Sequence, residues 1–449
     1  MNILLISPNT LREPYPVYPL GLDYVAAALD DAHQVRIADL NCVTLPELEM
    51  MLQECTPAVI GISCRNIDNT DNNDPRAFVG SYRELIHWLR QRSPATIVCG
   101  GAGFTIMPAR ILACLGADFG IVGEGERFRL LVDALASGAD PSRIEGVLHR
   151  PESRPVPSPW SEPFRRRIPA DPEGHHLFYV RQGGMLNLQS KRGCCFSCIY
   201  CPYPHIEGRR HRLADPDEVA GIARKLEEAG ARYLFFTDSA FNSDINHSLA
   251  VAESLKAAGL TIPWGGFFAP IRLPDDYFQV MADCGLAHVE FGTESLSPVM
   301  LAAYNKPFGP EEVFLAHGQA RAAGIHTAHY FLLGGPGESR ATVEETLAAI
   351  PALARGVFFF FIGIRIYPNT RLYEIALDRG TIAPETDLLR PVFYRPAAIS
   401  LQELGQLVEE RSRGRMNWVV GSGGEKSAEL VARLHSRGFT GPLWEYLAR

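Results

Sequence analysis

Short β-rich apolar runs alternate with amphipathic helical patterns along most of this 449-residue chain. That alternation, more than composition, limits the folds open to it: parallel strands joined by helical crossovers. In the first third the runs are ILLIS (3–7), VRIADL (35–40), AVIGIS (58–63), TIVCGG (96–101) and FGIV (119–122). Helical patterns fall between them at LGLDYVAAALDDA, 46–54, YRELIHWLRQ, 107–115 and 126–136. Thr44, with Glu47 three residues on, forms a capping box for the second of these. The class expected for residues 1–149 is α/β, a doubly wound, Rossmann-like open parallel sheet.

Residues 150–184 break the rhythm and read as a linker. RPESRPVPSPWSEPF holds five prolines in fifteen residues, a composition for extended chain. From residue 185 the alternation returns, with strands expected at 185–190, 232–237, 262–268, 288–292, 325–333 and 357–366. Asp215, Pro216 and Glu218 open one intervening helix and Gly230 ends it. Six such units over 185–380 predict a partial (β/α)6 barrel, whose chemistry sits at the C-terminal strand ends. Residues 381–449 read as a mainly helical tail without a motif.

A net charge of -8 excludes a broad phosphate-binding face, so no nucleic-acid partner is expected. Arg165–Arg167 and Arg209–Arg212 are short basic runs of the kind that solvated loops carry. The longest apolar run, VFFFFIGI (357–364), falls far short of the roughly 20 residues of a membrane span. MNILLISPN has no basic n-region, and ten cysteines without a secretion signal read as reduced thiols, so the expected setting is cytoplasmic.

Four of those cysteines crowd into KRGCCFSCIYCPYP (191–204). Cys194, Cys198 and Cys201 make CxxxCxxC on a loop after a strand, a spacing that can wrap three irons of a 4Fe–4S cube and leave the fourth open. A zinc site would need a fourth ligand, for which His205 is the nearby candidate, and no second CxxC knuckle exists. Two disulfides within eight residues would be strained. Cys195 is spare. Cys42, Cys55, Cys64, Cys99, Cys114 and Cys284 read as small buried hydrophobes.

KRGCCFSCIYCPYPHIEG followed by RHR resembles the signature of radical S-adenosylmethionine (SAM) enzymes, and the likeness runs over about 185–375. It implies that the open iron of a 4Fe–4S cluster binds SAM, which one electron cleaves to a 5′-deoxyadenosyl radical. By the same resemblance Tyr200 packs by the adenine, Asp238 in FFTDSAFN receives the methionine amino group, and Glu294 in FGTESLS meets the ribose. Gly334 and Gly335 in LLGGPGES form the turn beside the adenine. Relatives carry proline after the first cysteine, where this chain has Cys195.

An open sheet binds its ligand beyond the C-terminal strand ends. Ser7–Asn9, Ser63, the polar loop RNIDNTDNND with Asn66, GGAGFT (Gly100, Gly101, Gly103, Thr105) and GEGE (Gly123, Glu124) all lie there. No GxGxxG follows the first strand. Residues 1–150 resemble the cobalamin-binding domain that precedes the radical domain in one large subclass, through PLGLDYVAAAL, GGAGFT and GEGE. The likeness implies that Ser63 and Gly100–Gly103 line the slot for the dimethylbenzimidazole tail. DxHxxG is missing, and His33, His87 and His149 lie at no strand's C-terminal end, so cobalt is expected to carry neither its own base nor a histidine. The loop 65–74 borders the cobalt or the substrate, or is a plain Asx-turn loop.

The cofactors implied are thus a 4Fe–4S cluster, SAM and cobalamin. The activity implied is C-methylation of a small-molecule intermediate, free or carrier-linked, in a natural-product (antibiotic), lipid or pigment pathway. An electron donor such as flavodoxin or ferredoxin goes with it. The alternatives are a cyclase or ring-rearranging enzyme with the same cofactors, a methylthiotransferase, and a non-catalytic cobalamin sensor. Aromatics at Phe267, Phe268, Tyr330, Phe358–Phe361 and Tyr367 fit a flat or apolar substrate as well as ordinary core packing.

Overall fold

Two parallel sheets, each wrapped in helices, carry the chain. The computed structural model describes residues 1–12, 15–29, 32–150, 157–160, 162–168, 174–421 and 424–448. The first sheet holds strands β1 (Asn2–Ser7), β2 (Gln34–Asp39), β3 (Val59–Ser63), β4 (Thr96–Gly100), β5 (Phe119–Ile121) and β6 (Val147–Leu148). Their order is β2-β1-β3-β4-β5-β6. The five expected strands are parallel, and the reversal of order at β1 and β3 makes the sheet doubly wound. The sequence rhythm did not announce β6, which closes the edge antiparallel to β5. The capping box at Thr44 is formed in full.

The second half contains β7 (Met185–Leu188), a small antiparallel pair β8 (Lys191–Arg192) and β9 (Arg212–Leu213), and then β10 (Tyr233–Phe236), β11 (Trp264–Phe268), β12 (Leu286–Glu294), β13 (His326–Leu333), β14 (Val357–Ile362) and β15 (Trp418–Val420). Seven of these form a parallel sheet in the order β15-β14-β13-β12-β11-β10-β7, each strand beside the next to be made. Six match the expected barrel strands. The seventh, β15, comes from the tail that sequence reading took as mainly helical, with no strand expected there. Three residues, WVV, are too short a run to show a period against the helices around them.

VFFFFI forms β14 because both of its faces are covered. Tyr330 and Phe359 are register partners with rings 4.9 Å apart and nearly parallel, and Phe331 and Phe360 stack at 5.2 Å on the other face. Among the cysteines expected to be buried, Cys55, Cys64, Cys99 and Cys284 are so, and Cys42 and Cys114 are half-buried. No helix among the described residues is long and apolar enough to cross a membrane.

The expected linker differs in part. Residues 151–156, 161 and 169–173 lie outside the described residues. Within 150–184, His176–Arg181 is helical, and Tyr179 is buried with its phenol donating to Asp39 Oδ2 at 2.5 Å. Four further arginines tie the halves together. Arg166 pairs with Asp23 at 2.9 Å and donates to the Asn187 carbonyl at 2.6 Å. Arg192 pairs with Glu126 at 2.7 Å, Arg212 with Glu124, and Arg365 with Asp68 at 2.8 Å. The polar loop 65–74 is part of this seam. Its Asp68, Asn69 and Asp71 side chains accept backbone N–H groups as Asx turns, while Asp68 holds Arg365.

The side chains of Asp68 and Arg365 are 0% and 3% exposed, so removing one partner strands a charge away from water. Arg365→Met should therefore cost about 3–5 kcal/mol in chemical denaturation. The double variant Asp68→Leu/Arg365→Met should recover most of that loss. Equal destabilisation in both would show that the pair is not what holds this part of the seam.

Candidate functional site

The C-terminal ends of both sheets open into one cavity of about 680 Å³. From the first sheet it is lined by Ser7 at the end of β1, Ser63 at the end of β3, Arg65 and Gly101. The second sheet contributes Asn187, Asp238, Phe267, Glu294 and Tyr330. Cys194, Cys198 and Cys201 all stand on its wall. Cys195 is exposed and takes no part in the lining. Among the described residues no three His, Cys, Asp or Glu side chains gather closely enough to hold one metal ion. Three thiols on one wall suit a cube, where each thiolate binds a different iron and the fourth iron stays open. The donor set fits the cluster.

The loop that carries the thiols is fixed from several sides. The backbone N–H of Cys194 donates to Gly208 and that of Ile199 to Tyr304, while Gly193 N–H donates to the Glu207 carboxylate. Gly193 has φ +91°, and a Cβ there would sit 2.2 Å from the Arg210 carbonyl oxygen. Only glycine lets the two passes of chain cross so closely.

Tyr200 and Glu294 meet in the cavity. The Tyr200 phenol donates to Glu294 Oε1 at 2.8 Å, and Lys306 Nζ lies 3.1 Å from the same oxygen. Glu294 has φ +62° and follows a register shift between β12 and β13. That left-handed turn, costly outside glycine, aims the carboxylate inward. Burial pulls the Lys306 ammonium down, but Glu294 and the neighbouring Cys198 outweigh it and hold it above its ordinary range. Burial, with the Glu294 charge, holds the Tyr200 phenol protonated.

Asp238 also lines the cavity, yet its carboxylate is already engaged. Ser190 donates to it through N–H at 2.8 Å and Oγ at 2.5 Å, and Lys191 Nζ pairs with it at 3.1 Å. Gly334 and Gly335 are not on the cavity wall. A Cβ on Gly335 would stand 2.2 Å from Tyr304 Cε1, and one on Gly334, 2.7 Å from Leu401 Cδ2. Local packing explains these glycines.

A second, narrower cavity of about 230 Å³ runs between the first sheet and the helices Leu20–Leu29 and Arg127–Ser137. Leu5, Leu22, Val98, Ile121 and Phe128 give it apolar walls. Ser63, Gly100, Gly101, Gly123 and Glu124 lie along it, as expected for a tail slot. A Cβ added to Gly100 would meet nothing nearer than Ile121 Cβ at 3.5 Å, so no close contact with the protein demands a glycine there. The walls fit a flat apolar group. Three expected positions line neither cavity. The Asn66 carbonyl accepts from Tyr82, and Gly103 packs on the loop, where a Cβ would sit 2.8 Å from the Cys64 oxygen. Thr105 is buried, donating to the Gly101 carbonyl at 3.0 Å and accepting from Gly123 N–H at 3.0 Å. GGAGFT is largely a short helix, Ala102–Ile106, with Gly100 and Gly101 before it on the slot. Glu124 serves the seam through Arg212 as well as the slot. No histidine occurs among the described residues that line either cavity.

Sequence reading missed Arg65, Lys306 and Tyr15 on the wall. Arg65 lay in view inside the polar loop. Lys306, in NKPF after a helix, carried no signal.

A fold with a cobalamin-type slot below and a thiol triad above defines a class, and comparison with known proteins agrees. The Radical SAM superfamily model matches residues 188–350, and the B12 binding domain model matches residues 9–132. The chain carries a radical SAM domain and a B12 binding domain, and its cofactors are a 4Fe–4S cluster, SAM and cobalamin. It is 26% identical to tryptophan 2-C-methyltransferase of Streptomyces laurentii over 87% of this chain and 76% of that one. It is 23% identical to cytidylyl-2-hydroxyethylphosphonate methyltransferase of Streptomyces wedmorensis, over 97% and 89%. The solved structure of the radical S-adenosylmethionine methyltransferase TsrM from Kitasatospora setae, with cobalamin and a [4Fe-4S] cluster bound, has the same fold. It superposes with a TM-score of 0.85 over 99% of this chain and 97% of that one, at 22% identity.

If Gly335 is required by Tyr304 and not by SAM, Gly335→Ala should destabilise the protein with no cofactor present. Forcing a methyl into that contact should cost about 1–3 kcal/mol in thermal unfolding. An unchanged melting temperature with weakened SAM binding would return the glycine to the cofactor.

Proposed function

We propose that this protein is a cobalamin-dependent radical SAM methyltransferase that C-methylates a small-molecule biosynthetic intermediate. The observation that carries the proposal is the shared cavity: the thiol triad and the strand ends of the B12 binding domain face one space. The methyltransferase names of the relatives above support the same reading.

In this reading Cys194, Cys198 and Cys201 hold the cluster and Cys195 is dispensable. Tyr200 and Glu294, locked by Lys306, offer the SAM adenosine a wall and a carboxylate acceptor. Lys191 and Ser190 hold Asp238 in place, so that it orients the loop after β10 more than it binds the amino group itself. Ser63, Gly100, Gly101 and Gly123 would flank the tail of cobalamin. When bound, the cluster and SAM supply the 5′-deoxyadenosyl radical, and methylcobalamin supplies the methyl group. The chain's own share is to hold the substrate between them, within reach of both, and to exclude water. A one-electron donor of the flavodoxin or ferredoxin kind completes the cycle.

Alanine at Cys194, Cys198 or Cys201 should abolish the iron–sulfur absorbance after anaerobic reconstitution, while Cys195→Ala keeps it. An intact cluster in Cys198→Ala would sink the assignment. Reconstituted protein given methyl-deuterated SAM and a small-molecule extract should yield a methylated product carrying the label. S-adenosylhomocysteine and 5′-deoxyadenosine should accompany it in equal amounts. Deoxyadenosine with neither S-adenosylhomocysteine nor label transfer would mean cyclisation or rearrangement instead.

A further inference from the structure

One carboxyl group behind the cavity has no part in the site described above. Glu290, on β12, is 2% exposed, and its two oxygens are held by neutral donors. Oε2 accepts the Tyr330 phenol at 2.8 Å and Oε1 accepts the Trp444 indole Nε1–H at 3.0 Å. Burial raises its pKa, against the two hydrogen bonds and His288. His288 is itself engaged elsewhere, with Tyr233 at 2.5 Å and Glu445 at 3.3 Å.

Tyr330 reaches the cavity wall; Glu290 stands behind it. A phenol has one proton to donate, and this one goes to Glu290, so toward a further partner in the cavity the Tyr330 oxygen can only accept. The ring is braced by stacking on Phe359 at 4.9 Å. Tyr15, Phe235 and Phe267 share the wall, with the last two packed edge to face at 5.1 Å. The result is a fixed acceptor, strengthened by a carboxyl group, in an aromatic recess. Left unpaired in such a place, an acceptor costs free energy that a bound donor recovers.

We propose that Tyr330, polarised by Glu290 and braced by Trp444, anchors the substrate by accepting a hydrogen bond from an N–H on a flat aromatic ring system. This rests on the methyltransferase reading for there being a substrate in the cavity, and it names the class of that substrate. The C-terminal segment thereby gains a role in recognition, because Trp444, far along the chain from β12, sets the orientation of Glu290. Tyr330 contacts substrate directly, and Glu290 and Trp444 are positioning residues.

The test is equilibrium binding of indole and benzofuran to the protein loaded with cluster and cobalamin. The two probes have nearly the same shape and differ in a ring N–H against a ring oxygen. Indole should bind about tenfold more tightly, since a site built around an acceptor rejects the analogue lacking the donor. In Tyr330→Phe, which keeps the stacking, the ratio should fall to within about twofold, with benzofuran unaffected. Glu290→Gln, whose amide can donate to the phenol oxygen, should narrow or reverse the preference. Trp444→Phe should narrow it in part, and unchanged iron and cobalamin contents would show that each variant is folded. A purely structural role would change stability and leave the probe ratio alone. Equal affinity of the two probes for the unmodified protein, no binding of indole, or an unchanged ratio in Tyr330→Phe and Glu290→Gln would overturn the proposal. Binding requires no turnover, so this outcome is separate from that of the methyl-transfer assay.

Discussion

A guanidinium taken out of water must find a carboxylate, and at the seam of this protein that requirement sets the architecture. Arg166, Arg192 and Arg365 are each buried, and each finds its partner, Asp23, Glu126 or Asp68, on the first sheet's side. Such pairs gain little net stability over apolar contacts, but a misplaced partner leaves a charge stranded. Their effect is geometric. They hold two independently built sheets with their strand ends facing, and the shared cavity exists because of that.

Each of the two sheets uses its own device at that cavity. In the first, small residues at the ends of β3, β4 and β5 keep a slot open between the sheet and two helices. In the second, the loop after β7 presents three thiols, and a left-handed residue at the end of β12 turns Glu294 toward Tyr200 and Lys306. The left-handed Glu294 and the buried Lys306 side chain stand where cofactors belong, while the helical exterior obeys ordinary capping and packing rules. The tail belongs to this scheme. It supplies β15 to the sheet edge and Trp444 to the carboxyl group behind the aromatic wall.

Several features were legible in the chain alone because they depend on neighbours in sequence. Strand and helix periods, the capping box at Thr44 and the spacing of Cys194, Cys198 and Cys201 are of this kind. Glycine is harder to read. Gly100 and Gly335 look alike in sequence, yet one borders open space and the other makes room for Tyr304. A glycine records that something comes close, and not whether the visitor is a cofactor or a side chain.

The sequence by itself determined five parallel strands of the first sheet, six of the second and the thiol triad, since these follow from local period and spacing, but not the short edge strands β6 and β15. Tertiary structure alone decided which polar residues face the cavity and which serve the seam. GEGE lines the slot, and its Glu124 and Glu126 also pair with Arg212 and Arg192. RNIDNTDNND reads as one loop, but it divides: Arg65 goes to the cavity and Asp68 to Arg365. Asp238 reads as a cofactor contact and is held by Ser190 and Lys191. In each case the partner lies tens to hundreds of positions away, or belongs to the other sheet. A carboxylate's role depends on the charge it meets, and only the folded chain brings the two together.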